Sequence, residues 1–317
     1  MSLERVGARM SIGQKVIVTV GAFVITFITI CTFFKNDISF LLTSRSIERN
    51  YGKTNENSYF VEDNFEFVNN YEAVEVHSKK EIIDTIYYLI NSGVTYSKRY
   101  CAKDYEECYN DMLSISNDAN TLSILNNYVH PFNSFESIVF NFDNNVIEIE
   151  IKHTYSKNEI EAINNEVDNI INQVITNNMA VREQIKAIHD YIINNTEYDT
   201  LKSEDINDTT HKSNTAYGVL MEKFGICSGY SDTMQIFLNK LNIINYKISN
   251  DQHIWNLVYL DENWYHLDLT WDDPVTVGVP ELDLLEHSFF LISTKELLNF
   301  NGDIQNKKQI LIFIAFT

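Results

Sequence analysis

The sequence has little of the residues that interrupt regular structure: its 317 residues include only 3 Pro and 10 Gly. Aromatic residues, in contrast, make up 13% of the chain. Disordered and fibrous proteins show the opposite balance, so the composition predicts a folded globular protein. The length is enough for one large domain or for two modest domains with their own hydrophobic cores.

Positive charge is also scarce, with 24 Lys and Arg against 44 Asp and Glu and a net charge of −20. Nucleic-acid binding needs clusters of Lys and Arg against the phosphates, and the sequence contains no such cluster. Electrostatic docking to an anionic membrane surface is disfavoured for the same reason. We therefore expect no nucleic-acid partner.

The 4 cysteines are too few for a disulfide scaffold in a chain of this length. Cys101 and Cys108 could pair outside the cell, although their spacing alone does not decide this. No Cys-x-x-Cys or His-Glu-x-x-His pattern occurs, so the sequence predicts neither a metal site nor a cofactor.

One long uncharged run occurs near the N-terminus, where residues 16–34 form 19 residues between Lys15 and Lys35. A membrane-spanning helix needs about 17–20 such residues. A cleaved secretory signal, the alternative, has a shorter apolar core and a small-residue cleavage site. We therefore interpret residues 1–35 as a transmembrane signal-anchor. Arg5 and Arg9 before the run favour an N-terminus inside the cell, which predicts a single-pass membrane protein with the rest of the chain outside the cytoplasm.

The rest of the chain divides into three predicted parts. Residues 36–75 are polar and acidic and predict a linker. Residues 76–178 contain a helical pattern at 79–92, a hairpin pattern around 143–145 and a capping box at Ser156 and Glu159. They predict a small α+β accessory domain, or an N-terminal region packed on the domain that follows. Residues 179–317 predict that second domain, which contains the motifs described below, with a polar loop at 200–214 that lines or covers its cleft.

Cys227 lies directly before an amphipathic helical pattern that includes Tyr230, Met234 and Phe237. A thiol at a helix N-terminus faces unpaired N–H groups and the positive end of the helix dipole, which both favour the thiolate. Gly225 and Gly229 permit a sharp turn and the close approach of another segment. Taken alone, a buried structural cysteine is the simpler interpretation of Cys227.

Residues 253–271 predict a β-hairpin with its turn at 261–263. If Leu260 pairs with Asn263, Asp268 falls opposite Trp255 and becomes the diagonal neighbour of His253 on one face. A shift of one residue in register would move Asp268 to the other face. With the first register, Cys227 is a candidate nucleophile, His253 its base and Asp268 the group that orients the imidazole.

Three motifs follow one another in this part of the chain: Gly-Ile-Cys-Ser-Gly-Tyr at 225–230, His-Ile-Trp-Asn at 253–256 and Trp-Tyr-His-Leu-Asp-Leu-Thr-Trp-Asp-Asp-Pro at 264–274. Together they resemble the bacterial transglutaminase-like domain of the papain-like thiol enzymes, over roughly residues 180–295. The resemblance implies an α+β fold with a papain/transglutaminase-like core, in which the helix that carries the nucleophile packs on an antiparallel sheet. It also implies a catalytic triad of Cys227, His253 and Asp268. Ile254 and Ser231 stand where the family commonly has Ala.

Other residues near the motifs have weaker assignments. His266 shares a hairpin face with Asp268 and is a rival for the base, whereas His189 is interpreted as a structural histidine. Tyr217 is a tentative second oxyanion donor beside the Cys227 N–H, and Trp255 a tentative cleft wall. Asp272 either caps a turn or binds a cation, and capping is the default interpretation.

Two classes of function remain open. The first is an enzyme that transfers an acyl group from an amide to Cys227 and then to water, as a peptidase or amidase, or to an amine, as a cross-linking transglutaminase. The second is a catalytically silent module that binds peptide or cell-wall polymer. The expected substrate is a peptide, a protein or a peptidoglycan fragment. The apolar run at 310–316 is too short to span a bilayer and is either a final strand or an altered end.

Overall fold

The computed structural model describes residues 59–250, 252–273 and 285–300. The predicted signal-anchor at 1–35 and the apolar run at 310–316 lie outside these residues. Within the described part, no helix combines the length and the apolar character needed to cross a membrane.

The first helix, α1 (Lys79–Asn91), confirms the helical pattern predicted at 79–92. Ser78 caps it by accepting a hydrogen bond from the backbone N–H of Glu81. Its apolar face is buried together with two further helices, α2 (Cys108–Ser116) and α3 (Ala119–Leu125). This hydrophobic cluster forms the core of the first half of the fold.

A four-stranded sheet completes that half, in the order β1-β2-β4-β3. Its strands are β1 (Glu75–Val76), β2 (Tyr96–Cys101), β3 (Phe135–Asp143) and β4 (Val146–His153). Strands β1 and β2 are parallel and the other pairs antiparallel. Strands β3 and β4 are the predicted hairpin, and Asn144 adopts the positive φ of 55° that its turn needs.

The described part of the predicted linker, residues 59–75, is packed against this half of the fold. Val68 is fully buried, and the backbone N–H groups of Val61 and Asn69 donate to the side chains of Asn91 and Asp84. These polar groups are satisfied by side chains of α1 instead of by water, and the linker stays a prediction.

Helix α4 (Lys157–Val174) begins with the predicted capping box of Ser156 and Glu159. Its apolar side packs in the same hydrophobic cluster as α5 (Val181–Asn194), the next helix along the chain. Phe132 and Tyr155 belong to this cluster as well. The predicted domain boundary at 178 stays a prediction, but the packing places α4 with the second half of the fold.

The second half is built on a three-stranded antiparallel sheet of β7 (Asn245–Ser249), β8 (Ile254–Leu260) and β9 (Asn263–Leu267). Helix α7 (Cys227–Lys240) packs on one face, where Val258 and Leu267 join the core cluster of Met234 and Phe237. Helix α8 (Thr294–Asn299) covers the other face through Leu297. This arrangement confirms the predicted α+β class, with the cysteine-bearing helix on an antiparallel sheet.

Two local predictions differ from the structure. The loop predicted at 200–214 contains a short helix, α6 (Thr200–Glu204), because the Asp199 side chain caps it by accepting from the Lys202 N–H. It follows strand β5 (Glu197–Tyr198), which pairs in parallel with β6 (Phe224–Gly225) further along the chain. The return arm of the hairpin ends at Leu267 and not at residue 271, because the Asp268 side chain accepts hydrogen bonds from two N–H groups of the following turn.

Candidate active site

Cys227 is the first residue of α7, and its side chain is partly exposed. The preceding residue, Ile226, is extended and is held by a hydrogen bond from its N–H to the carbonyl of Ser213. No side chain caps this helix terminus. The N–H groups of the first turn have no partner inside the helix, so they are available to an anion that forms beside the Cys227 sulfur.

Gly229 explains why the helix can start at this place. A Cβ atom at this position would lie 2.2 Å from the carbonyl oxygen of Ser213, which is a clash with backbone that cannot move freely. The segment that holds Ile226 therefore approaches the first turn of α7 as closely as only glycine allows. The predicted close approach at this glycine is present.

The β8–β9 hairpin has the register on which the triad prediction depended. Leu260 pairs with Asn263, and Asp261 and Glu262 form the two-residue turn with φ values of 51° and 61°. Two positive φ values are typical of the tight turns that match the twist of a hairpin. The last strand pair is Asn256 with Leu267, so Asp268 follows immediately opposite Trp255.

His253 and Asp268 are joined by a hydrogen bond of 2.6 Å between the imidazole Nε2 and the carboxylate Oδ2. The other carboxylate oxygen accepts from the backbone N–H groups of Thr270 and Trp271. The backbone N–H of His253 donates to the Asn250 side chain, and its carbonyl accepts from the Asn250 N–H. Asn250 therefore fixes the backbone of the histidine, and the 268–271 turn fixes the carboxylate.

The Cys227 thiol is the third member of this group, because it lies close enough to the His253 side chain to help raise the pKa of the imidazole. Burial of His253 by itself lowers its pKa, but the Asp268 carboxylate and the contact with Cys227 outweigh burial and raise the pKa to about 10. The imidazole is therefore positively charged at neutral pH. The structure brings the three predicted triad side chains together in the order Cys227, His253, Asp268.

Two tryptophans stack on His253. The ring of Trp255 lies 5.5 Å from the imidazole between centroids, and that of Trp271 lies 5.0 Å away and almost parallel to it. Trp255 is buried, whereas Trp271 is 38% exposed at the rim of the site. Trp255 thus lies against the histidine in the interior, and its role as a cleft wall stays a prediction. Trp271 stacks on the same imidazole and is the more exposed of the two tryptophans.

His266 has a different environment from His253. Its Nδ1 accepts a hydrogen bond from the indole N–H of Trp255, and its Nε2 contacts the hydroxyl of Thr294. Burial lowers the pKa of His266 to about 4, so it is neutral at physiological pH. The geometry places His253 beside Cys227 and gives His266 a packing role in the hairpin.

The tentative oxyanion donor, Tyr217, packs against a lysine. The ring of Tyr217 lies under the ammonium group of Lys212, and among the described residues it has no hydrogen bond or ring contact with the triad. Its oxyanion role stays a prediction.

Tyr198, which sequence reasoning missed, pairs with Gly225 in the β5–β6 sheet. Burial raises the pKa of Tyr198, and an electrostatic interaction with Cys227 acts in the same direction. Its two-residue strand leaves no periodic signal in the sequence.

The second motif is tied to the nucleophile helix by Asn256. This side chain is buried, and its amide donates to the carbonyl of Ser231 on α7 over 3.0 Å. Since Ser231 lies one turn after Cys227 and Asn256 three residues after His253, the hydrogen bond couples the positions of nucleophile and base.

Comparison with known proteins finds a family match over the part of the chain that contains Cys227, His253 and Asp268. Residues 168–269 match the family model of the transglutaminase-like superfamily. The crystal structure of a TGase is 16% identical, with a TM-score of 0.35, and the alignment covers 47% of each chain. A structure described as a "Putative Cysteine Protease" from Cytophaga hutchinsonii is 14% identical with a TM-score of 0.27, covering 42% of this chain and 61% of that one.

This chain therefore spans only about half to three fifths of those two structures. No curated protein matches it. The family match covers the segment that runs from within α4 through the Cys227 helix to two residues beyond the end of β9. This segment is similar to the transglutaminase-like superfamily.

Proposed function

We propose that this protein is a thiol-dependent acyl-transfer enzyme that acts on amide bonds of peptides or cell-wall material, most often with water as the acceptor. The observation that carries the proposal is the line of contacts from Cys227 through His253 to Asp268. A nucleophile, a charged acid and a buried orienting carboxylate in hydrogen-bond reach are the components of a thiol triad.

The reaction that these groups support has two halves. The Cys227 thiolate attacks the amide carbonyl carbon, and the C=O electron pair moves to the oxygen, which the N–H groups at the start of α7 would stabilise. When the intermediate collapses, the C–N bond breaks and His253 gives its proton to the leaving amine. The acyl group then remains on sulfur as a thioester.

In the second half His253 removes a proton from the incoming nucleophile, which attacks the thioester and releases the thiol. Water yields a peptidase or amidase, and a primary amine yields a cross-linking transglutaminase. We favour water because Cys227 is partly exposed and Trp271 at the rim is accessible to solvent, so the site does not exclude water from the thioester. The cross-linking reaction is the second candidate.

The proposed location is the cell membrane, with the catalytic domain outside the cytoplasm. The uncharged run at 16–34 is the proposed anchor. A disulfide between Cys101 and Cys108 supports a location on the oxidising side of the membrane, since such bonds are rare in the cytosol. The thiol of Cys227 is free, as a nucleophile must be.

The test uses the purified full-length protein in detergent with a glutamine-containing peptide, a labelled primary amine and a panel of peptide and peptidoglycan fragments. We expect cleavage or deamidation to exceed amine incorporation, and the Cys227→Ala variant to lose all products. If stable amine incorporation is the main product, the hydrolase proposal is wrong and the transglutaminase is correct. If no fragment reacts and Cys227 forms no thioester, the silent binding module replaces both.

A further inference from the structure

A second group of titratable side chains lies outside the triad. His189 and Asp190 are neighbours near the middle of α5, and His287 comes from the segment 285–300. The Oδ1 atom of Asp190 lies 3.0 Å from His189 Nδ1 and 2.7 Å from His287 Nε2. Each residue presents one donor atom, and these atoms all lie within 4.8 Å of one another.

The other side of His189 contacts a carboxylate. Its Nε2 lies 3.2 Å from Oδ2 of Asp272, and neither side chain is exposed. Asp272 accepts at its second oxygen from the backbone N–H of Phe289. Histidines that bind metals very often donate their distal N–H to a buried carboxylate in this way, which fixes the tautomer and directs the other nitrogen at the ion.

The two nitrogens of His189 each face a carboxylate oxygen, Nε2 that of Asp272 and Nδ1 that of Asp190. When a cation takes the place of the proton on Nδ1 and the remaining N–H is directed at Asp272, the Nδ1 lone pair and Asp190 Oδ1 are both available to that cation. The same oxygen faces a nitrogen of His287, while Lys186 occupies the other oxygen of Asp190 at 2.6 Å. A cation at the shared point would bind two nitrogen lone pairs and one carboxylate oxygen at once.

We propose that His189 Nδ1, Asp190 Oδ1 and His287 Nε2 bind a zinc ion. Two imidazoles and a carboxylate suit zinc, whereas calcium and magnesium prefer sites made of oxygen atoms. Zinc bond lengths of about 2.0–2.1 Å place tetrahedral ligand atoms roughly 3.3 Å apart. Asp190 Oδ1 lies 3.0 Å from His189 Nδ1 and 2.7 Å from His287 Nε2, so these two distances need to increase only slightly. His287 is 35% exposed, which leaves the fourth position to water.

The ion has a structural role in this proposal. It joins α5 to the segment of His287, and that segment is in turn bonded to the turn after β9: the Asp268 N–H donates to the Phe289 carbonyl, and the Phe289 N–H donates to Asp272. Zinc would therefore hold the segment of His287 in place next to the turn that carries the Asp268 carboxylate. The sequence contains no zinc motif because the ligands come from segments almost 100 residues apart.

The test measures zinc in full-length protein that carries Cys227→Ala, so that the triad thiol cannot bind the metal and the result does not depend on the proposed function. Zinc content after dialysis, competition with a chromophoric chelator, and thermal unfolding in zinc or in EDTA are measured. His287→Ala removes a rim ligand with little effect on the core. His77→Ala is the matched control, an exposed histidine that also lies near a carboxylate, that of Asp104.

We expect one zinc per chain, a higher Tm in zinc than in EDTA, and retention of both in His77→Ala. His287→Ala should weaken zinc binding by about tenfold or more and lose the rise in Tm. Absence of bound zinc in the parent protein, or equal affinity in His287→Ala, overturns the proposal. Loss of zinc in His77→Ala alone would place the metal elsewhere and also overturn it.

Discussion

At the scale of single residues, the charge of His253 sets the chemistry of the site. Its pKa is raised to about 10 from an ordinary value of 6.5, so the imidazolium persists at neutral pH and is lost only as the pH rises through about 10. Its contribution to folding stability is correspondingly complete below pH 6.5 and declines between there and pH 10. A fixed positive charge beside sulfur stabilises the thiolate.

The first prediction concerns alkylation. Iodoacetamide should modify Cys227 at pH 6 faster than a free thiol with an ordinary pKa of about 8.5 reacts, and His253→Gln should slow this by about tenfold or more. The rate is measured by mass spectrometry of the Cys227 peptide, with His77→Gln as the control. Equal rates in His253→Gln and the parent protein would show that the imidazolium does not activate the thiol.

Asp268→Asn provides the second prediction. The amide keeps the shape of the side chain but cannot stabilise the imidazolium, and it favours the wrong tautomer of His253. In a serine-protease triad this change costs about 10⁴ in turnover, and a loss of at least about 10² is expected here. The measurement is turnover of a substrate found with the fragment panel. Retention of more than half of the activity would remove Asp268 from the triad.

His266 provides the third prediction. Because its pKa is lowered to about 4, the unfolded chain takes up a proton before the folded one as the pH falls, so His266 makes the protein less stable between pH 6.5 and 4. His266→Ala should lower Tm, flatten its decline over this range, and leave Cys227 alkylation unchanged. Loss of alkylation in His266→Ala, with normal alkylation in His253→Gln, would transfer the base role to His266.

At the scale of secondary-structure elements, the site depends on how α7 and the β8–β9 hairpin are held together. The thiol sits at the first residue of the helix and the histidine directly before β8. Neither element alone forms the triad. The buried hydrogen bond from Asn256 to the Ser231 carbonyl is a direct polar link between them.

The fourth prediction tests that link. Asn256→Ala leaves a buried carbonyl without this partner and should lower the free energy of unfolding by about 1–3 kcal/mol. Turnover should fall as well, because His253 loses its fixed position relative to Cys227. Denaturant unfolding and kcat are measured, with Asn263→Ala in the exposed hairpin turn as the control. If Asn256→Ala and Asn263→Ala behave alike, Asn256 does not position the histidine.

At the scale of the whole molecule, three features bear on the proposed location: the uncharged run at 16–34, the acidic composition and the disulfide. A net charge of −20 repels an anionic membrane surface, so the proposed membrane attachment would come from an inserted segment. The Cys101–Cys108 bond joins the end of β2 to the start of α2, seven residues further along the chain, and is consistent with the proposed extracytoplasmic location.

The fifth prediction is that the full-length protein fractionates with membranes and resists extraction by high salt. Residues from about 40 onward should be accessible to protease added outside the cell, and Cys101 and Cys108 should resist alkylation until they are reduced. Release by high salt alone, or a mature N-terminus beyond residue 34, would contradict the anchor.

Much of the local structure was predictable because it depends on neighbours in sequence. The capping box at Ser156, the helical pattern at 79–92 and the hairpin turn at 261–262 all follow from side chains within a few residues of one another. The errors arose where a single side chain changed the backbone, as Asp199 does by starting α6 and Asp268 by ending the hairpin.

The sequence alone predicted the hairpin and its turn, and it named Cys227, His253 and Asp268 for the triad with His266 as a rival base; the α+β class followed from the family resemblance. Only the tertiary structure decided the hairpin register, that His253 and not His266 interacts with Cys227, and that His189, Asp190 and His287 converge. The physical reason is the range of the interactions involved. Capping, turn formation and strand alternation act over a few residues, whereas the contacts of the site depend on how separate helices and strands pack.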